Sequence, residues 1–144
     1  MKFAFMSFSC PEADLYKMLD YARKYGYDGV EPRAQAQHNH GIEIEASKEK
    51  RKEIKKFFDE SGIECSCIAT SIRYCFTDAQ KRKESIGMTR AFIDLACDIG
   101  VKRIRVFGGV PDKEISVDEA IKIVGECLGI AGEYAEKNRV FICL

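Results

Sequence analysis

The chain has 144 residues, 46% of them hydrophobic, and its 23 Lys and Arg are matched by 23 Asp and Glu for a formal net charge of zero. That length and apolar content suit one folded domain and exclude general disorder. The charge balance argues against a nucleic-acid surface, which needs a basic excess or stripe, and no apolar run approaches the ~20 residues that span a bilayer.

The basic stretches Lys48 to Lys56 and Lys81 to Lys83 are interleaved with or flanked by acids and read as solvated helix faces. The seven cysteines are odd in number and sit mostly in apolar surroundings, and no basic segment leads into an apolar signal sequence. A reducing, cytoplasmic compartment is expected.

Met1 to Phe8 is short, aromatic and apolar, as a buried strand would be. Pro11, Glu12 and Asp14 suit the first turn of a helix, whose apolar stripe is Leu15, Met18, Leu19 and Ala22 and whose end is Gly26. Tyr27 to Glu31 reads as a second strand, stopped by Pro32. A polar, irregular stretch follows from Arg33 to Ala46. Ser47 then caps a charged helix with Ile54, Phe57 and Phe58 on its apolar side, closed by Ser61-Gly62.

Ile63 to Thr70 reads as the third strand and Ser71 to Asp78 as a connector. Asp78 is placed to cap a helix running to about Ile99, ended by Gly100. Arg103 to Phe107 reads as the fourth strand, followed by Gly108-Gly109. Ser116 and Glu119 have capping-box spacing at the start of a helix reaching about Lys137. Val140 to Leu144 reads as a fifth strand.

This alternation is βαβ repetition, which predicts right-handed connections and a parallel sheet. Two folds share the pattern. A (β/α)₈ barrel takes about 250 residues, so the chain would hold about the first four and a half of its eight units. A five-stranded doubly wound sheet of flavodoxin type would be complete at this length. The barrel is preferred because no helix covers the fifth strand and no glycine-rich phosphate loop follows the first.

In either fold, chemistry gathers where the strands end. Those positions are Ser7 and Ser9 after strand one, and Glu31, Arg33, His38 and His40 at and after strand two. After strand three come Thr70, Ser71, Arg73 and Tyr74, and after strand four Gly108 and Gly109. Glu31 and Arg33 share a side if the strand persists across Pro32. His38 and His40 are the only histidines. A His-x-His pair can bind a metal or hydrogen-bond sugar hydroxyls, and two histidines in a polar loop can equally be plain solvent-exposed residues. Arg73 can clamp a phosphate or carboxylate, or be an ordinary surface arginine. Tyr74 can stack on a sugar ring or line a loop. Cys65 and Cys67 read as small core residues.

Four segments carry a resemblance: Gly26 to Arg33 (GYDGVEPR), His38 to Gly41 (HNHG), Cys67 to Ser71 (CIATS) and Arg105 to Gly109 (RVFGG). Together they resemble the xylose isomerase-like TIM barrels. That group includes sugar phosphate isomerases and epimerases and the endonuclease IV-type repair enzymes. The resemblance spans essentially the whole chain. It implies a barrel in which a divalent ion (Mn, Mg or Zn) polarises a carbonyl–hydroxyl pair of a sugar while carboxylates move a proton.

The family's metal ligands come from the later strands, beginning with a Glu just beyond a run like Val140 to Leu144. The resemblance therefore assigns no metal ligand and no catalytic residue to this chain. It gives substrate-binding roles to Glu31, Arg33, His38 and His40, to which Arg73 is added as a candidate clamp. On the repair-nuclease branch, His38 or His40 would be metal ligands, but the neutral charge counts against a DNA substrate.

The expectation is thus residues 1–144 as the N-terminal portion of one barrel without internal boundary. It would be part of a metal-dependent sugar or sugar-phosphate isomerase or epimerase, inactive alone, without nucleic-acid or membrane partners and forming a homo-oligomer through its open strand edges. The alternatives are a half-barrel that self-associates through open strand edges, or a complete flavodoxin-like binding domain.

Overall fold

Each of the four long helices begins at a side chain that accepts a hydrogen bond from its own first turn. In the computed structural model, which describes residues 1–111 and 113–144, Asp14 caps α1 (Leu15–Lys24) and Ser47 caps α2 (Lys48–Ser61). Asp78 caps α3 (Ala79–Ile99), and Ser116 caps α4 (Val117–Asn138) by accepting from Glu119 N at 3.2 Å. Each such cap contributes about 1 kcal/mol. Pro11 and Glu12 lie in the turn before α1 rather than in its first turn, because Asp14 starts the helix later.

The strands are β1 (Ala4–Met6), β2 (Gly29–Glu31), β3 (Glu64–Cys65), β4 (Ile68–Arg73), β5 (Arg103–Phe107) and β6 (Phe141–Cys143). All pairings are parallel, in the orders β1-β2-β3 and β4-β5-β6. The expected third strand is therefore broken at Ser66-Cys67 and runs on to Arg73. Ser66 explains the break: its N–H and its hydroxyl both donate to the Val30 carbonyl, at 2.9 and 3.1 Å, which fastens it to β2. The chain then turns to pair with β5. Ala34 N donates to Ala69 O at 2.8 Å and Ala69 N to Pro32 O at 2.9 Å, so the two halves are stitched into one run.

The strand order follows the sequence without reversal. Successive helices touch in series, α1 with α2, α2 with α3, and α3 with α4, as a ring of helices outside a barrel does. A doubly wound sheet has a switch point and helices on both faces. The flavodoxin-like alternative is thereby corrected.

Alternation along β5 separates the two faces. Ile104 and Val106 are buried beneath the helices with Val30, Ile68, Phe92, Ile93 and Leu95. Arg103, Arg105 and Phe107 point the other way, in register with Phe141 and Cys143 of β6 and, through Ala69, with β4. Gly29 lets β2 and β3 approach: a Cβ there would lie 2.9 Å from the Glu64 carbonyl oxygen.

Candidate functional site

Arg33 is the centre around which the strand-two residues gather. Its N–H donates to Ser7 Oγ at 2.8 Å, and its carbonyl lies 3.1 Å from His40 Nε2. Its guanidinium donates to Ala34 O at 2.7 Å, Ala69 O at 3.4 Å and Ser71 Oγ at 2.5 Å. An arginine has five N–H donors, so part of the fork has no partner among the described residues. Burial, and next the charge of Arg105, hold its pKa below the ordinary value.

Glu31 does not face Arg33. Its carboxylate accepts from Arg105 Nε at 2.8 Å, and the two side chains are about three-quarters buried. Arg105 also contacts Met6 Sδ at 3.9 Å and lies 5.2 Å from the Phe107 ring. Glu31 and Arg105 thus form an ion pair on the inner face, joining strands that are not neighbours.

His38 is half-buried, with Nδ1 2.8 Å from Ser7 Oγ and its ring edge-to-face with Phe8 at 5.1 Å. His40 is 1% exposed. Ile42 N donates to its Nδ1 at 3.0 Å, so its Nε2 carries the proton and donates to Arg33 O. Burial pushes its pKa down to about 4. The two histidines of the same loop therefore differ: His40 braces the backbone of Arg33, whereas His38 keeps a ring nitrogen without a protein partner among the described residues.

Two left-handed residues shape this loop, Gln35 (φ 60°) and Gln37 (φ 56°). Both oxygens of Glu43 accept from Gln35 N, at 2.8 and 2.9 Å, which holds the first in place. Gln35 Oε1 in turn accepts from Ser71 N at 2.8 Å. Burial raises the Glu43 pKa.

Among the described residues Arg73, at the end of β4, makes no bond to Arg33 or the histidines but shares Gln35 and Ser71 with their group. Arg73 and Lys81 stand 5.6 and 5.9 Å from the Phe76 ring and line a cleft with Gln35, Ser71, Ser85 and the acidic Glu84. Neither cation has a carboxylate partner among the described residues. Tyr74 is wholly buried, its hydroxyl 2.6 Å from Thr89 Oγ1, so it cannot stack on a ligand; it is a core residue. Cys67 is buried and its thiol pKa is pushed up to about 12, chiefly by burial, while Cys65 is half-buried.

Arg105, Ser7 and Glu43 are the residues that the strand-end argument undervalued. The signal for Arg105 was its place inside the RIRVF strand: a charge in the middle of a parallel strand requires a buried partner. Among the described residues, no group of three or more His, Cys, Asp or Glu gathers as a metal site. No described helix is long and apolar enough to cross a membrane.

The family profile described as xylose isomerase-like TIM barrel matches residues 19–144. No curated protein matches the sequence. Among solved structures, the IolI protein with a bound zinc atom superposes with a TM-score of 0.82 at 20% identity, over 99% of this chain and 50% of that one. D-psicose 3-epimerase with D-tagatose from Clostridium cellulolyticum H10 gives 0.82 at 17% identity, over 100% and 52%. The 3-keto-D-glucoside 4-epimerase YcjR from E. coli gives 0.77 at 15% identity, over 99% and 54%. The chain spans about half the length of these structures. At such identities the likeness is one of fold.

Proposed function

The chain belongs to the xylose isomerase-like TIM barrels, and we propose that it forms part of a sugar or sugar-phosphate isomerase or epimerase, as the substrate-holding side of the pocket. One observation carries this reading: Arg33 is pinned at its N–H, its carbonyl and part of its guanidinium, part of its fork has no partner among the described residues, and Ser7 ties its backbone to the half-buried His38. Fixed donors at strand ends suit a ligand rich in oxygen acceptors.

In this reading Arg33 and His38 contact the substrate. His40 and Glu31 contribute by positioning, His40 through the Arg33 carbonyl and Glu31 through Arg105. Arg73, with Lys81, supplies positive charge for a phosphate group. The divalent ion of the proposal (Mn, Mg or Zn) is held by residues other than these, and the half described here is inactive without them. All seven cysteines are free thiols, which suits the cytoplasm.

The test is to assay the active protein with Mn²⁺ or Mg²⁺ for ketose epimerisation and ketose–aldose interconversion. Arg33→Ala and His38→Ala should each lower kcat/KM at least tenfold. Full activity in both variants would remove the site assignment.

A second reading, self-association, draws on exposed Phe107 of β5 and Phe141 of edge strand β6, 42% and 66% exposed, and on the open edges of β1 and β6. Sedimentation decides it: a monomer at high protein concentration sinks this reading.

A further inference from the structure

Ser7 joins β1 to the loop after β2 through a single buried hydroxyl. It is 1% exposed, and its Oγ has two protein partners, Arg33 N and His38 Nδ1, each at 2.8 Å. The Arg33 N–H can only donate, so Oγ accepts there. A buried hydroxyl proton needs an acceptor of its own, and the remaining partner is His38 Nδ1. Nδ1 therefore accepts, and the proton of the neutral His38 ring sits on Nε2. His40 reaches the same tautomer independently, because Ile42 N–H occupies its Nδ1. The difference is that His40 Nε2–H is spent on the Arg33 carbonyl at 3.1 Å.

We infer that the His38-Asn39-His40 segment is a fixed hydrogen-bond donor site and not a metal site, with Ser7 holding His38 as the Nε2–H tautomer that donates to a carbonyl or hydroxyl oxygen of an oxygen-rich ligand. Metal ligation through His38 Nε2 would require that nitrogen to lose its proton to Nδ1, which leaves the buried Ser7 hydroxyl without its acceptor. His40 cannot serve as a second ligand while both its nitrogens are bonded within the loop. The class of ligand rests on the proposed function; the tautomer and the role of Ser7 do not.

Long-range ¹H–¹⁵N correlation spectra of the labelled chain at pH 8 read both rings directly, since there are only two histidines. The expected result is unprotonated Nδ1 and protonated Nε2 in both. A reversed or averaged pattern on His38 overturns the proposal. Ser7→Ala should average the His38 pattern while His40 stays locked, which reports that the loop is still folded; a His38 that stays locked removes the role of Ser7. If Ser7→Ala also disturbs His40, Ser7→Cys, which keeps the volume and weakens the donor, gives the same reading.

Equimolar Zn²⁺ should leave both patterns unchanged, and a zinc-induced transfer of the His38 proton to Nδ1 overturns the proposal. In the activity assay, His38→Phe should raise KM about tenfold, the size of one lost hydrogen bond. His38→Gln, which keeps an N–H donor near the Nε2 position, should raise it less, and equal effects contradict a donor role. Absence of isomerase activity would leave the spectra as expected, so the two failures are distinguishable.

Discussion

Arg105 Nε lies 2.8 Å from Glu31 Oε1, across the β3–β4 run that separates their strands. Each ion is about three-quarters buried, so neither is well solvated without the other. Arg105→Met should destabilise the chain by about 1–3 kcal/mol in denaturant titrations, because it leaves a partly buried carboxylate alone. Glu31→Gln with Arg105→Met should recover part of that loss. A double variant whose loss equals the sum of the two single ones would show that the pair is not coupled.

Acid should weaken the fold through His40. Its pKa is about 4 in the folded chain, lowered chiefly by burial, against about 6.5 unfolded. The unfolded chain therefore binds the extra proton first as pH falls. The contribution is fully present above about pH 6.5 and is lost progressively towards pH 4, with a total near 3 kcal/mol. Burial raises the Glu43 pKa and gives a slope of the opposite sign, so the measurement compares stability at pH 7 and pH 4.5 in wild type and in His40→Asn, which keeps Glu43. The variant should show the shallower dependence, and identical slopes would refute the assignment.

Gly29→Ala should destabilise by about 1–3 kcal/mol through overpacking. The clash is with the backbone oxygen of Glu64 at 2.9 Å, which no rotamer change relieves. Thermal unfolding at unchanged Tm would mean that β2 and β3 separate more easily than their pairing suggests.

Arg33→Lys keeps the charge and loses the planar fork. It forfeits the paired bonds to Ala34 O and Ser71 Oγ. In the active protein, KM should rise about tenfold or more with a smaller change in kcat, as expected for a contact made to bound substrate. A fall in kcat at constant KM would move Arg33 from binding to the chemical step.

The order of elements was legible in the sequence because Gly, Pro, Ser and Asp mark the helix ends by local chemistry, as the Ser47, Asp78 and Ser116 caps show. The break at Ser66 was not legible: it depends on the Val30 carbonyl in another strand. The strand-end rule brought out Glu31, Arg33, His38 and His40 as a group. It could not separate their duties, because these are set by long-range partners, Arg105 for Glu31 and Ser7 for His38. Tyr74 was not legible as a core residue for a related reason: its hydroxyl pairs with Thr89 of α3.

In the proposed substrate-holding role, the anchoring of the Arg33 guanidinium by Ala34 O, Ala69 O and Ser71 Oγ has a bearing on selectivity. A long cationic side chain usually bends to suit whichever guest arrives. Here the freezing happened when the polypeptide folded, so little further ordering remains for the guest to bring about. A molecule one oxygen short finds a rigid host that will not reshape around the gap, and near-isosteres should be turned away more sharply than a mobile arginine would allow.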